Sequence, residues 1–205
     1  MPRRKRIWLP DTFYHVTDRG NQKQTLFYEK SDFLTFQNVL DYVYEKYPFE
    51  VCAYCFMSNH YHFIIKSTDE PLSKIIGLIK KRYADYYNKK YNLTGHVFED
   101  RFFADPLSSY YNIQRASYYV HYNPVNAYMV NSPLNYEWSS FKYYSLDCPT
   151  SEEPPQYLST APILSIFQGN TTSQKIQYNQ WCKQAHTDYT TRQVNGDSIQ
   201  VPGTW

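Results

Sequence analysis

No apolar run in this chain approaches the roughly 20 residues that a helix needs to cross a bilayer, so no membrane-spanning helix is expected. The N-terminus carries Arg3, Arg4, Lys5 and Arg6 with no apolar stretch behind them. That does not read as a secretory signal, and the expected compartment is the cytoplasm. Cysteine is scarce, with 4 in 205 residues. Cys52 and Cys55 form one Cys-x-x-Cys, but no second pair stands ready to complete a zinc site. Their odd separation inside a strand-like run should turn them to opposite faces, so buried, reduced thiols are expected. Charge of one sign is also in short supply. A formal net charge of +2 does not by itself announce nucleic acid. Internal repeats are absent. What composition leaves is a globular chain, since 42% hydrophobic residues against 20% charged is too apolar for disorder.

What is present is concentrated in a few places. His60 and His62 stand in the run Met57-Ser58-Asn59-His60-Tyr61-His62-Phe63-Ile64-Ile65-Lys66, whose aromatic and β-branched residues read as a strand. Residues two apart on a strand share a face, so both imidazoles should project together. Two convergent imidazoles can hold one divalent metal if a third ligand arrives from elsewhere. A bare His-x-His is more often a surface pair, so the case rests on a second run further along the chain.

That second run is Tyr118-Tyr119-Val120-His121-Tyr122-Asn123-Pro124-Val125. A helix is expected from about Tyr111-Asn112 to Asn123, where Pro124 should end it. Positions i and i+4 share a helix face, which sets Tyr119 one turn from Asn123. Asn123 offers a carbonyl oxygen to a hard cation, and Tyr119 offers a phenol that can attack phosphorus. Taken alone, one tyrosine among 23 is more often packing than nucleophile.

Together these runs closely resemble the REP-associated tyrosine transposases, a family of the HUH single-strand DNA nucleases. The resemblance extends to Phe13-Tyr14-His15-Val16-Thr17-Asp18-Arg19-Gly20-Asn21, to Gly95 through Phe102, and to Pro133 through Ser140, covering roughly residues 12–145. Two departures are modest: Tyr61 fills a position usually aliphatic, and Ser58 stands where proline is common. The resemblance implies a single-strand DNA endonuclease and strand transferase acting at palindromic hairpins through a 5′-phosphotyrosine. The residues it points to are Tyr119 as nucleophile and His60, His62 and Asn123 as ligands to Mg2+ or Mn2+. It implies a monomer, with a dimer as the alternative. Tyr118 and Tyr122 are rival nucleophiles, but only Tyr119 stands four residues before Asn123. His121 should face away from Tyr119, and His15 lies on another strand that can reach the site. A domesticated hairpin-binding protein without mobilising activity is the second reading, although neither ligand nor nucleophile is lost here. A metal phosphoesterase of small substrates is the third, and it would want more carboxylates near the histidines than Asp69 and Glu70 supply.

Basic residues are the expected DNA contacts: Arg3, Arg4, Lys5 and Arg6, then Lys80, Lys81 and Arg82 on the outer face of an amphipathic helix. Arg19 and Arg101 are candidate phosphate contacts or plain salt-bridge partners. At 19% of residues, aromatics are numerous enough for some to stack on unpaired bases, although most should be core. Strands are expected over 12–19, 49–57, 60–66 and around 96–107, with helices over 31–47, 72–91 and 111–123. Ser31 is the expected N-cap of the first helix. This β-α-β-β-α-β order gives an α+β, ferredoxin-like core: an antiparallel sheet with helices on one face. The transposase-like domain should span 1–146, with 1–10 as a basic arm. A polar, Pro-rich linker should follow over 147–160, and a mainly helical or irregular extension over 161–205.

Overall fold

The structure is a computed structural model and describes residues 8–99, 101–148 and 153–195. The chain runs β1 (Tyr14–Arg19), α1 (Lys30–Lys46), β2 (Glu50–Phe56), β3 (His60–Lys66), α2 (Leu72–Tyr91), β4 (Phe103–Pro106), α3 (Tyr110–Asn126), α4 (Ala161–Leu164) and α5 (Thr171–Asn195). The sheet order is β2-β3-β1-β4 and each neighbouring pair is antiparallel. This is the α+β arrangement expected from the sequence.

Alternation in the strands decides which helix goes where. Tyr61, Phe63 and Ile65 point to the face covered by α1 and α2, where Phe36 packs its ring against Tyr61 and Tyr83. His60, His62 and Ile64 point the other way. On that second face Ile64 and Cys55 meet Ile113, Ala116 and Val120 of α3, with Tyr178 of α5 behind them. The expectation of helices on one face therefore holds for α1 and α2 but not for α3, whose apolar stripe answers the opposite set of strand residues.

Four local expectations are corrected. Glu29, not Ser31, occupies the N-cap of α1, and the Asp32 carboxylate accepts from the backbone N–H groups of Tyr28 and Glu29 at 2.8 and 3.1 Å. An ionised carboxylate is the stronger acceptor, and the Ser31 hydroxyl is turned to Glu29 instead. Helix α3 continues through Pro124 to Asn126, because the Ala127 N–H closes a turn on the Asn123 carbonyl at 2.9 Å and the buried proline ring packs. A register shift between Val51 and Ala53 inserts one residue into β2. The bulge changes the alternation, so Cys52 and Cys55 both meet the α3 side rather than opposite faces. Both remain buried free thiols. The strand expected around 96–107 is confined to Phe103–Pro106.

Gly20 makes the turn after β1, where a Cβ would collide with the Gln24 carbonyl oxygen. Within the stretch expected as a linker, Tyr157 is buried. Its carbonyl accepts from Val51 N–H at 2.8 Å while Ser159 N–H donates to Val51 O at 2.9 Å. The segment thereby covers the free edge of β2. Among the described residues no helix is long and apolar enough to cross a membrane.

Candidate active site

The pleat of β3 delivers His60 and His62 to the α3 side, with His62 opposite Thr17 and His60 opposite Arg19 in β1. Helix α3 starts cleanly, its Ser109 hydroxyl accepting from Asn112 N–H at 3.1 Å, and it brings Tyr119 and Asn123 over the same strand. All four side chains line one pocket of about 630 Å³. The Tyr119 ring stands edge-on to His62, with centroids 5.3 Å apart and planes at 88°. Asn123 Nδ2 lies 3.1 Å from His62 Nε2, and the His60 and His62 rings cross at 87°.

Hydrogen bonds set the orientation of both imidazoles. Asn59 Nδ2 donates to Lys23 O at 3.3 Å, which turns Asn59 Oδ1 toward His60 Nδ1 at 2.7 Å. A carbonyl oxygen only accepts, so His60 carries its proton on Nδ1 and keeps its Nε2 lone pair. His62 Nδ1 lies 3.2 Å from His15 Nε2, and the two rings are stacked. His15 therefore reaches the site as a partner of His62. Burial lowers His60 to about 4, opposed by its hydrogen bond with Asn123. It lowers His62 well below the ordinary value, reinforced by His60 and His15. Both imidazoles are neutral at physiological pH, the form that ligates a cation. Burial holds the Tyr119 phenol above its ordinary value, and the Asn123 hydrogen bond pulls it back down.

The rival tyrosines point elsewhere. The Tyr118 hydroxyl faces His186 Nδ1 at 3.2 Å, and the Tyr122 ring is buried against Tyr118 and Phe141. His121 turns away from Tyr119, as expected, to Tyr178 and Ser140.

A model of IS200-like transposases matches residues 10–123. The chain belongs to the IS200-like transposase family. No curated protein matches it in sequence. Among solved structures it is similar to a REP-associated tyrosine transposase bound to a REP hairpin, at 17% identity and a TM-score of 0.61, covering 84% of this chain and 94% of that one. A protein of Deinococcus radiodurans r1, provisionally named a transposase, aligns at 12% identity and a TM-score of 0.41 over 63% of this chain and 96% of its own.

Around the histidines of this IS200-like transposase the expected basic residues divide. Arg19 and Arg101 line the pocket, and the Arg19 guanidinium is also paired with Glu99. Lys81 is exposed and borders an adjoining groove that shares Arg101 and Glu99 with the pocket. Lys80 is not on an outer rail: its ammonium turns inward to Asp18 at 2.6 Å. Burial raises the Asp18 carboxyl to about 6 against the pull of that lysine. Arg82 lies over the Tyr42 ring of α1 at 3.6 Å and does not line the pocket. Arg3, Arg4, Lys5 and Arg6 lie outside the described residues. Asn59, Thr17 and Lys23 line the pocket without having been expected there. Asn59 alone had a signal, as an amide immediately before His60.

Proposed function

We propose that this transposase is a metal-dependent single-strand DNA endonuclease and strand transferase of the REP-associated type, acting at hairpin DNA through a 5′-phosphotyrosine. The observation that carries the reading is the Tyr119 ring edge-on to His62 in a pocket shared with His60 and Asn123. The donor set fits a divalent cation. His60 directs its Nε2 lone pair to the pocket, and Asn123, whose Nδ2 lies 3.1 Å from His62 Nε2, would present its amide oxygen to a cation after turning over. Asn123 is the third ligand of this reading; among the described residues no group of three His, Cys, Asp or Glu side chains is arranged to hold a metal ion. When bound by His60, His62 and Asn123, Mg2+ or Mn2+ supplies charge neutralisation at the scissile phosphate.

This chain's residues do the rest. Arg19, Arg101 and Lys23 present positive charge along the pocket wall for the flanking phosphates. The Asn123 hydrogen bond pulls the Tyr119 phenol down against the burial that raises it, which favours the attacking phenolate. Attack forms the Tyr119 O–P bond as the P–O3′ bond breaks, and the phenolic proton ends on the 3′ hydroxyl. No water is consumed, so the reverse attack by another 3′ hydroxyl rejoins strands. The structural similarity to a protein that carries a REP hairpin supports the substrate class.

The test is a denaturation-resistant protein–DNA adduct from purified protein, Mn2+ and end-labelled hairpin DNA with unpaired flanks. We expect Tyr119→Phe to abolish the adduct and Tyr118→Phe to retain it. Adduct formation by Tyr119→Phe, or undiminished cleavage in excess chelator, would overturn the assignment.

A further inference from the structure

Tyr119 belongs to two cavities at once. Its far side, away from the histidines, borders a second pocket of about 300 Å³ between α3 and α5. That volume sits at the lower end of the range for small-ligand sites, suited to one nucleotide. Aromatic side chains dominate its walls: Tyr111 and Tyr118 from α3, Trp181 and Tyr189 from α5. Arg115 and Arg192 add two guanidinium groups against one carboxylate, Asp188, which already accepts from Gln184 Nε2 at 2.8 Å. Asn126 also lines this pocket, and its Oδ1 is buried without a hydrogen-bond partner. A buried, unpaired carbonyl oxygen is costly unless a ligand donates to it.

Resting on the function proposed above, we infer that this pocket holds one unpaired nucleobase of the DNA flank next to the scissile phosphate. Aromatic faces stack on any base, and guanidinium groups take the adjoining phosphate. A strand whose scissile phosphate meets Tyr119 has its next nucleotide within reach of this cavity, because Tyr119 is the wall between the two. The C-terminal helix α5 would thus be part of the DNA-binding surface and not only a buttress for α3.

The probe is a synthetic DNA stem-loop with oligothymidine flanks, compared with versions carrying an abasic residue at each flank position in turn. Binding is measured by fluorescence anisotropy at one fixed salt concentration. For one position beside the cleavage point, base removal should weaken wild-type binding about 5- to 100-fold, the worth of one stacked base. Tyr189→Ala should show the same loss on the intact probe and no further loss on that abasic probe, while Tyr189→Phe binds like wild type. Arg192→Ala should weaken intact and abasic probes alike. Wild-type affinity in Tyr189→Ala, or a Tyr189→Ala loss that persists on every abasic probe, would overturn the inference. If the wild-type protein still forms the Tyr119 adduct in that case, only the base pocket fails. If it neither binds nor forms an adduct, both readings fall.

Discussion

His15 tests the site without being a proposed ligand itself, because it acts through His62. It is fully buried, and its Nε2 lies 3.2 Å from His62 Nδ1. With a cation on His62 Nε2, the His62 proton sits on Nδ1 and is donated to His15 Nε2, which holds the ring in place. Partners of this kind typically change metal affinity about 10–100-fold when removed. We expect His15→Leu to weaken Mn2+ binding by that factor in titration calorimetry without DNA; unchanged affinity in a folded variant would show that His15 does not orient His62. The proposed ligands and nucleophile were legible because each pair follows one period, two residues on β3 and four on α3. His15 was only partly legible, since its placement depends on the pairing of β1 with β3 across 47 residues. Lys80 was misplaced because helical periodicity does not show that a long side chain bends back to a buried Asp18.

Helix α3 serves two masters, with Tyr119 and Asn123 on one flank and Ser117 and His121 on the other. His121 Nδ1 lies 2.7 Å from the Tyr178 hydroxyl and its Nε2 lies 2.8 Å from Ser140 Oγ, while the Tyr178 hydroxyl donates to Ser117 Oγ at 3.1 Å. This buried network ties α5 and the turn after α3 to the helix that carries the nucleophile. Tyr178→Phe leaves His121 Nδ1 without a partner at nearly constant volume, so we expect a loss of about 1–3 kcal/mol in urea unfolding. A loss within the error of the melt would mean that the hydroxyl is not holding α5. At this scale most of α2 was legible, because Leu72, Ile75, Ile76, Ile79 and Tyr83 recur at helical spacing and are buried, while Tyr87, which closes the stripe, was not singled out. The bulge in β2 was not, since an inserted residue leaves no mark on composition, and it alone reversed the reading of Cys52 and Cys55. Helix α5 was legible only as part of a mainly helical or irregular extension: Tyr178 and Cys182 are buried one turn apart against α3, and that contact places the helix.

Across the whole molecule, buried neutral histidines make folding sensitive to acid. Burial lowers His15 to about 4 and His121 to about 3, against about 6.5 for an unfolded chain. A depressed folded value means that the unfolded state binds protons first. The stabilisation from each neutral imidazole is therefore complete above about pH 6.5 and is lost as pH falls from there through the folded value. At about pH 5 each of the two costs about 2 kcal/mol relative to neutral pH. Asp18 runs the other way. Its carboxyl, raised to about 6, takes up a proton in the folded state first and returns about 1 kcal/mol over the same interval. The histidines win, and urea melts should show a lower midpoint at about pH 5 than at about pH 7.5. His121→Gln removes one of the titrating groups while keeping hydrogen-bonding capacity toward Tyr178 and Ser140. It should lower stability at neutral pH yet flatten the pH dependence by about 2 kcal/mol. An equal or higher midpoint in acid for the unaltered protein would show that His15 and His121 take up protons without unfolding, and the buried network would then have to reach water.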